Sequence, residues 1–127
     1  MPDANQMAKK QVLIIDDDSR NIFALTATLR SKSFDCLSCL SAQEALTILE
    51  TNEVVDAILI DMMMPDMDGY EAIPRIKEID NRKNTPIFSV TAQAMVGDRE
   101  KCLVAGATDY IAKPIDVDRL LQLLEGI

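Results

Sequence analysis

Histidine is absent from all 127 residues. That absence excludes a Ser-His-Asp triad, a histidine general base and a phosphohistidine carried on this chain. Any chemistry falls to carboxylates, lysine, hydroxyls or a bound metal. Glycine is scarce, at four residues, and none of them builds a G-x-G-x-x-G or Walker loop, so no nucleotide-binding turn is present. The cysteines number three, an odd count. Cys36 and Cys39 have C-x-x-C spacing, but no second pair and no histidine completes a zinc site. With Cys102 they read as small reduced thiols packed in apolar surroundings. No apolar run approaches the roughly 20 residues needed to cross a bilayer. Residues 1–10 are polar and lack the apolar core of a signal peptide. Basic clusters are missing as well. Lys and Arg total 13 against 21 Asp and Glu, for a net charge of −8 and a pI of about 4.4. This balance speaks against nucleic acid or an anionic membrane surface as a direct partner, and it favours solubility. A soluble, cytoplasmic protein is expected.

The chain does have an ordinary globular composition, 48% hydrophobic and 27% charged. Its length suits one compact domain whose core needs no disulfide or metal. Residues 1–10 are expected to form a flexible tail and residues 11–127 the domain. Apolar runs alternate with helical patterns throughout. Val12 to Ile15 read as a strand ending at Asp16, 34–40 as a second, 54–60 as a third ending at Asp61, 87–90 as a fourth and 108–112 as a fifth. Ile22, Leu25 and Leu29 recur at helical spacing. Ser41 and Glu44 form a capping box ahead of Ala45, Leu46 and Leu49. Ile73, Ile76 and Ile79 mark a third helix. Pro74 removes a backbone donor there, so a kink or a late start is expected. A fourth helix falls within 93–104 and stops at Gly106. Val117, Leu120, Leu121 and Leu124 line a fifth. Strands apolar on both faces, in strict alternation with helices, predict a doubly wound parallel sheet. In such sheets, ligands lie beyond the carboxyl ends of the strands, where the strand order switches.

The residues at those ends are Asp16, Asp17 and Asp18 after the first strand, Asp61 after the third, Thr91 after the fourth and Lys113 after the fifth. A parallel sheet gathers them at one edge. Clustered carboxylates repel, and a divalent cation relieves the repulsion. Mg²⁺ prefers carboxylate oxygens with waters and keeps positions open for phosphate. Lys113 adds positive charge and Thr91 a hydroxyl donor. Phosphoryl transfer relies on such positioning and charge neutralisation, and a carboxylate can serve as its nucleophile. Singly, each residue has a plainer reading: an Asp run is commonly a solvated turn or helix cap, and a Lys-Pro pair a turn. Asp18 is read as a cap, Asp66 and Asp68 as turn and cap, with Gly69 allowing a tight approach. Met62, Met63, Met64 and Met67 offer an adaptable surface on one reading and core packing on the other. The joint placement at four strand ends carries the functional reading.

At these residues the sequence resembles the response-regulator receiver family of two-component signalling, of the chemotaxis-regulator type. The resemblance rests on Val-Leu-Ile-Ile-Asp-Asp-Asp-Ser (12–19), Leu-Ile-Asp-Met-Met-Met-Pro-Asp-Met-Asp-Gly (59–69), Val-Thr-Ala (90–92) and Tyr-Ile-Ala-Lys-Pro (110–114). It implies a flavodoxin-like fold with strand order 2-1-3-4-5. It implies Asp61 as phosphoacceptor, with Asp17, Asp61 and the Met63 carbonyl as direct Mg²⁺ ligands and Asp16 acting through a metal-bound water. Lys113, before a cis Pro114, would contact the phosphoryl oxygens. Thr91 would couple the group to Tyr110, the switch residue on the face made by the fourth helix, fifth strand and fifth helix. Met63 and Gln93 stand where the family controls water access, and a bulky Met63 is expected to shield the acyl phosphate.

The resemblance also implies a signalling protein rather than an enzyme, of the bacterial type. A sensor histidine kinase or histidine phosphotransfer protein would be the donor, an output protein of unspecified kind the recipient, and the state a monomer or a phosphorylation-dependent dimer. The stretch Arg20 to Leu25 is similar to receivers attached to hybrid kinases, whereas Met1 and the polar tail suggest a free-standing product. Two other readings compete. A phosphatase of the haloacid dehalogenase type needs a second Asp where Met63 stands. A degenerate receiver that only binds partners would lack some of the site residues, and here all are present.

Overall fold

Five strands pair into one parallel sheet. They are β1 (Gln11–Ile15), β2 (Asp35–Cys39), β3 (Ala57–Asp61), β4 (Ile87–Thr91) and β5 (Asp109–Ala112), in the order β2-β1-β3-β4-β5. The computed structural model describes residues 9–92 and 97–127. Between the strands run α1 (Ser19–Ser31), α2 (Ala42–Leu49), α3 (Gly69–Lys77), α4 (Asp98–Ala105) and α5 (Val117–Glu125), with a 3₁₀ turn at Asp80–Arg82. The flavodoxin-like doubly wound sheet expected from the sequence is the fold observed.

The apolar strands are buried on both faces because each face has its own helical cover. Leu13, Ile15, Ile58, Ile60 and Ile87 pack with Leu49 of α2, Ile73 and Ile76 of α3 and Cys102 of α4. Their alternate neighbours Val12, Ile14, Leu59, Phe88 and Ile111 pack with Leu25 and Leu29 of α1 and Leu120 and Leu124 of α5. Each fully buried Leu or Ile contributes about 1.5–3 kcal/mol. β3 lies at the centre and buries all five of its residues, so its last one, Asp61, is held by a rigid support.

Polar side chains set the helix starts. Asp18, Ser41, Asp68 and Asp116 cap α1, α2, α3 and α5. Half of the expected capping box forms: Ser41 Oγ accepts from the Glu44 N–H at 3.1 Å, while Glu44 Oε2 accepts from the N–H of Leu40, one residue before the cap, at 3.1 Å.

Two expectations shift, at the third strand and the third helix. The third strand begins at Ala57 rather than Val54. Ahead of it one backbone bond remains, from the Asp56 N–H to the Gln11 carbonyl at 2.8 Å, and side chains supply the rest: Asp56 Oδ2 accepts from the Gln11 N–H at 2.8 Å, and the Gln11 side-chain amide donates to the Val54 carbonyl at 2.5 Å. The third helix starts promptly at Gly69, because the Asp68 cap satisfies its first turn. Pro74 falls inside it, and the helix stops at Lys77, short of Ile79. Cys36 and Cys39 pack on opposite faces of β2, which rules out a bond between them. The tail expected over 1–10 lies outside the described residues except for Lys9 and Lys10, as do Gln93 and the opening of the helix expected over 93–104.

Candidate functional site

The sheet register brings the strand-end residues to one edge. Ile15 lies opposite Ile60, which sets Asp16 level with Asp61, and Thr91 lies opposite Ala112, one residue before Lys113. The strand period of two then sorts the side chains. Asp16 and Asp61 continue the rows of Ile14 and Leu59, on the face covered by α1 and α5. Thr91 and Tyr110 continue the rows on the α2, α3 and α4 face, where Tyr110 packs half-buried against the core.

The carboxylates of Asp16, Asp17 and Asp61 each place an oxygen within 4.8 Å of the others. Asp16 and Asp61 are each only 4% exposed, whereas Asp17 is open to solvent. Lys113 Nζ approaches Asp61 Oδ2 at 3.4 Å, and Asp61 Oδ1 accepts from the Met63 N–H at 3.0 Å. The Lys113 N–H donates to the Thr91 carbonyl at 2.8 Å, and the Lys113–Pro114 peptide is cis. Asp16 Oδ1 accepts from the Asp18 N–H at 2.8 Å. Burial pushes the Asp16 carboxyl above the ordinary carboxylate range. The Asp61 charge adds to the rise, while the Asp18 N–H, the Lys113 charge and the Asn21 amide oppose it. Three convergent carboxylate oxygens, one of them open to solvent, suit a hard divalent cation that keeps waters.

Other site features separate cleanly. Asp18 is a cap, accepting from the Arg20 N–H at 2.9 Å, and Asp68 caps by accepting from Glu71 at 3.0 Å. Asp66 takes a turn conformation at φ 67°. A Cβ on Gly69 would lie 3.0 Å from the Met62 Cα, so the close approach excludes a larger residue. Met62, Met64 and Met67 are buried and pack, whereas Met63 is 62% exposed beside Asp61. One neighbour escaped the sequence reading. Asn21, in the first turn of α1, faces the Asp16 carboxyl and lines an open groove of about 260 Å³ with Leu25, Lys113, Pro114 and Ile115. Its only sequence signal is its place one helical turn beyond the Asp run.

The model of the response regulator receiver domain matches residues 12–125. The chain belongs to the response regulator receiver family. It is 39% identical over 113 residues to the signal transduction histidine-protein kinase BarA of Escherichia coli K12, which covers 89% of this chain and 12% of BarA. It thus spans about an eighth of that relative. It is 33% identical to an uncharacterised 14.6 kDa protein of Leptolyngbya boryana, over 94% of this chain and 90% of that one. Among solved structures it is similar to the receiver domain of sensor histidine kinase PA1611 from Pseudomonas aeruginosa PAO1, with a TM-score of 0.84, 35% identity and coverage of 94% and 97%. That structure has a magnesium ion coordinated in its active site cleft. Among the described residues of this receiver domain, no helix is long and apolar enough to cross a membrane.

Proposed function

We propose that residues 11–127 act as one receiver unit that takes a phosphoryl group onto Asp61 from the phosphohistidine of a sensor histidine kinase or histidine phosphotransfer protein. A carboxylate oxygen of Asp61 attacks phosphorus, the bond from phosphorus to the donor imidazole nitrogen breaks, and its electron pair returns to that ring. The supporting observation is the approach of Lys113 Nζ to Asp61 Oδ2 at 3.4 Å, beside carboxylate oxygens gathered within 4.8 Å. Mg²⁺, when bound through Asp17, Asp61 and the Met63 carbonyl, with Asp16 holding a water, supplies the charge neutralisation phosphoryl transfer needs.

The residues of the chain do the rest. Lys113 exchanges its pairing with Asp61 for the phosphoryl oxygens. The Met63 N–H fixes the Asp61 carboxylate. The Thr91 hydroxyl donates to the phosphoryl group, and its movement is coupled to Tyr110, which shares its face of the sheet. The exposed Met63 side chain shields the acyl phosphate from water. The domain then signals through the α4, β5 and α5 face to an output protein, in the cytoplasm, as a monomer or a phosphorylation-dependent dimer. It is a switch with self-directed chemistry rather than an enzyme with turnover.

Incubation with Mg²⁺ and acetyl phosphate, read by intact mass, tests this. One added phosphoryl group is expected, absent in Asp61→Asn and in EDTA. Retention of the added mass in Asp61→Asn would overturn the assignment. Lys113→Ala should still take up some label yet produce no change at Tyr110.

A further inference from the structure

One carboxylate, that of Asp109, ties three elements together at the outer edge of the sheet. Arg99 Nε of α4 lies 3.6 Å from Asp109 Oδ1, and Arg119 Nη2 of α5 lies 3.5 Å from the same oxygen. The Tyr110 N–H donates to it at 2.8 Å, and Arg119 Nη2 donates to the Tyr110 carbonyl at 3.0 Å. β5 ends the strand order, so the outward backbone groups of Tyr110 have no strand partner there. The charged cluster satisfies both. α4 and α5 cover opposite faces of the sheet, so the cluster runs round the edge from one face to the other.

We propose that Asp109, Arg99 and Arg119 form an ionic lock that holds α4 and α5 against β5 and opposes the rearrangement at Tyr110. The inference rests on the receiver reading above for what the rearrangement does. Two features make the cluster a lock rather than a plain brace. First, α4 is packed shallowly: among its residues Cys102 alone is buried, and Val104 is 88% exposed. An element with few buried apolar contacts opens locally at low cost. Second, both guanidiniums are half-exposed, so each pair is weak alone and screened by salt. A weak, cooperative hold on the backbone of the switch residue sets a modest barrier that a phosphoryl group can overcome.

Asp109→Asn tests the lock, because it keeps an acceptor for the Tyr110 N–H and removes the charge. Amide hydrogen exchange across 98–105, without any phosphodonor, should be roughly 3- to 10-fold faster than in the wild type. Labelling of Asp61 by acetyl phosphate should accelerate by a similar factor. About 0.5 M NaCl should reproduce both effects in the wild type and add little in Asp109→Asn. Arg99→Gln on top of Asp109→Asn should change exchange no further. Unchanged exchange in 98–105 would overturn the lock, as would an equal acceleration in β1 and β3, which would mark general destabilisation. A wild type that accepts no phosphoryl group would sink the proposed function alone, since exchange judges the lock without a donor.

Discussion

Asp16 is the residue at which the site works against the fold. Its side chain is buried next to Asp61, and burial favours its neutral form, so its folded pKa lies above the unfolded value. The folded chain therefore binds the proton more tightly. Stability from this group is present below the unfolded pKa and is lost as pH rises through the raised folded value. At neutral pH, Asp16 thus costs stability in the absence of a cation. Asp16→Asn should raise the thermal midpoint in EDTA by about 3 °C at pH 7.5 and change it little near pH 4. The same variant should bind Mg²⁺ more weakly. A midpoint that falls in EDTA would show that the carboxylate is held by interactions stronger than its burial. The sequence made the strand-end chemistry of Asp16, Asp17, Asp61, Thr91 and Lys113 legible, because each follows an apolar run. It did not separate buried Asp16 from exposed Asp17, since adjacent residues point to opposite sides of a strand end and only packing decides which side is dry.

At the scale of elements, a buried arginine does what the sequence did not advertise. Arg82, 4% exposed, sits in the 3₁₀ turn after α3 and reaches back to the end of α2. Its Nε donates to the Leu49 carbonyl at 3.0 Å, and its Nη2 to the Thr51 and Glu53 carbonyls at 3.0 and 2.7 Å. These are carbonyls that a helix terminus and the turn after it leave without partners, and a cation there also suits the helix dipole. Arg82→Met should cost about 2–4 kcal/mol, measured by urea denaturation, because several acceptors lose their donor at once. Arg82→Lys should recover only part, as one ammonium cannot span the same fork. A loss below about 1 kcal/mol for Arg82→Met would mean that water replaces the guanidinium. In sequence Arg82 lies within Asp-Asn-Arg-Lys-Asn, which reads as a solvated loop. Pro74 shows the converse. Local chemistry pointed to a delayed helix, yet the Asp68 cap and the burial of Ala72, Ile73 and Ile76 start α3 on time.

For the whole molecule, a cation held at the proposed site would link binding to folding, because the three carboxylates meet only in the folded sheet. Mg²⁺ at 100 times its dissociation constant should stabilise the domain by about 2.7 kcal/mol, read as a rise in thermal midpoint. The gain should shrink as pH falls, since burial makes the Asp16 carboxyl easier to protonate than an ordinary carboxylate. Asp61→Asn should abolish most of it, and an undiminished gain in that variant would place the cation elsewhere. The alternation of apolar strands with helical periods, the caps at Ser41 and Asp68 and the chemistry-bearing residues at four of the strand ends were all determined by the sequence, because local periodicity and strand propensity are properties of neighbouring residues. The convergence of residues 45 to 97 positions apart, the dry setting of Asp16, the reach of Arg82 and the Asp109 cluster at the sheet edge were decided only by tertiary structure. Distances across the sheet depend on which strands pair and in what register, and that is fixed by the packing of both faces at once.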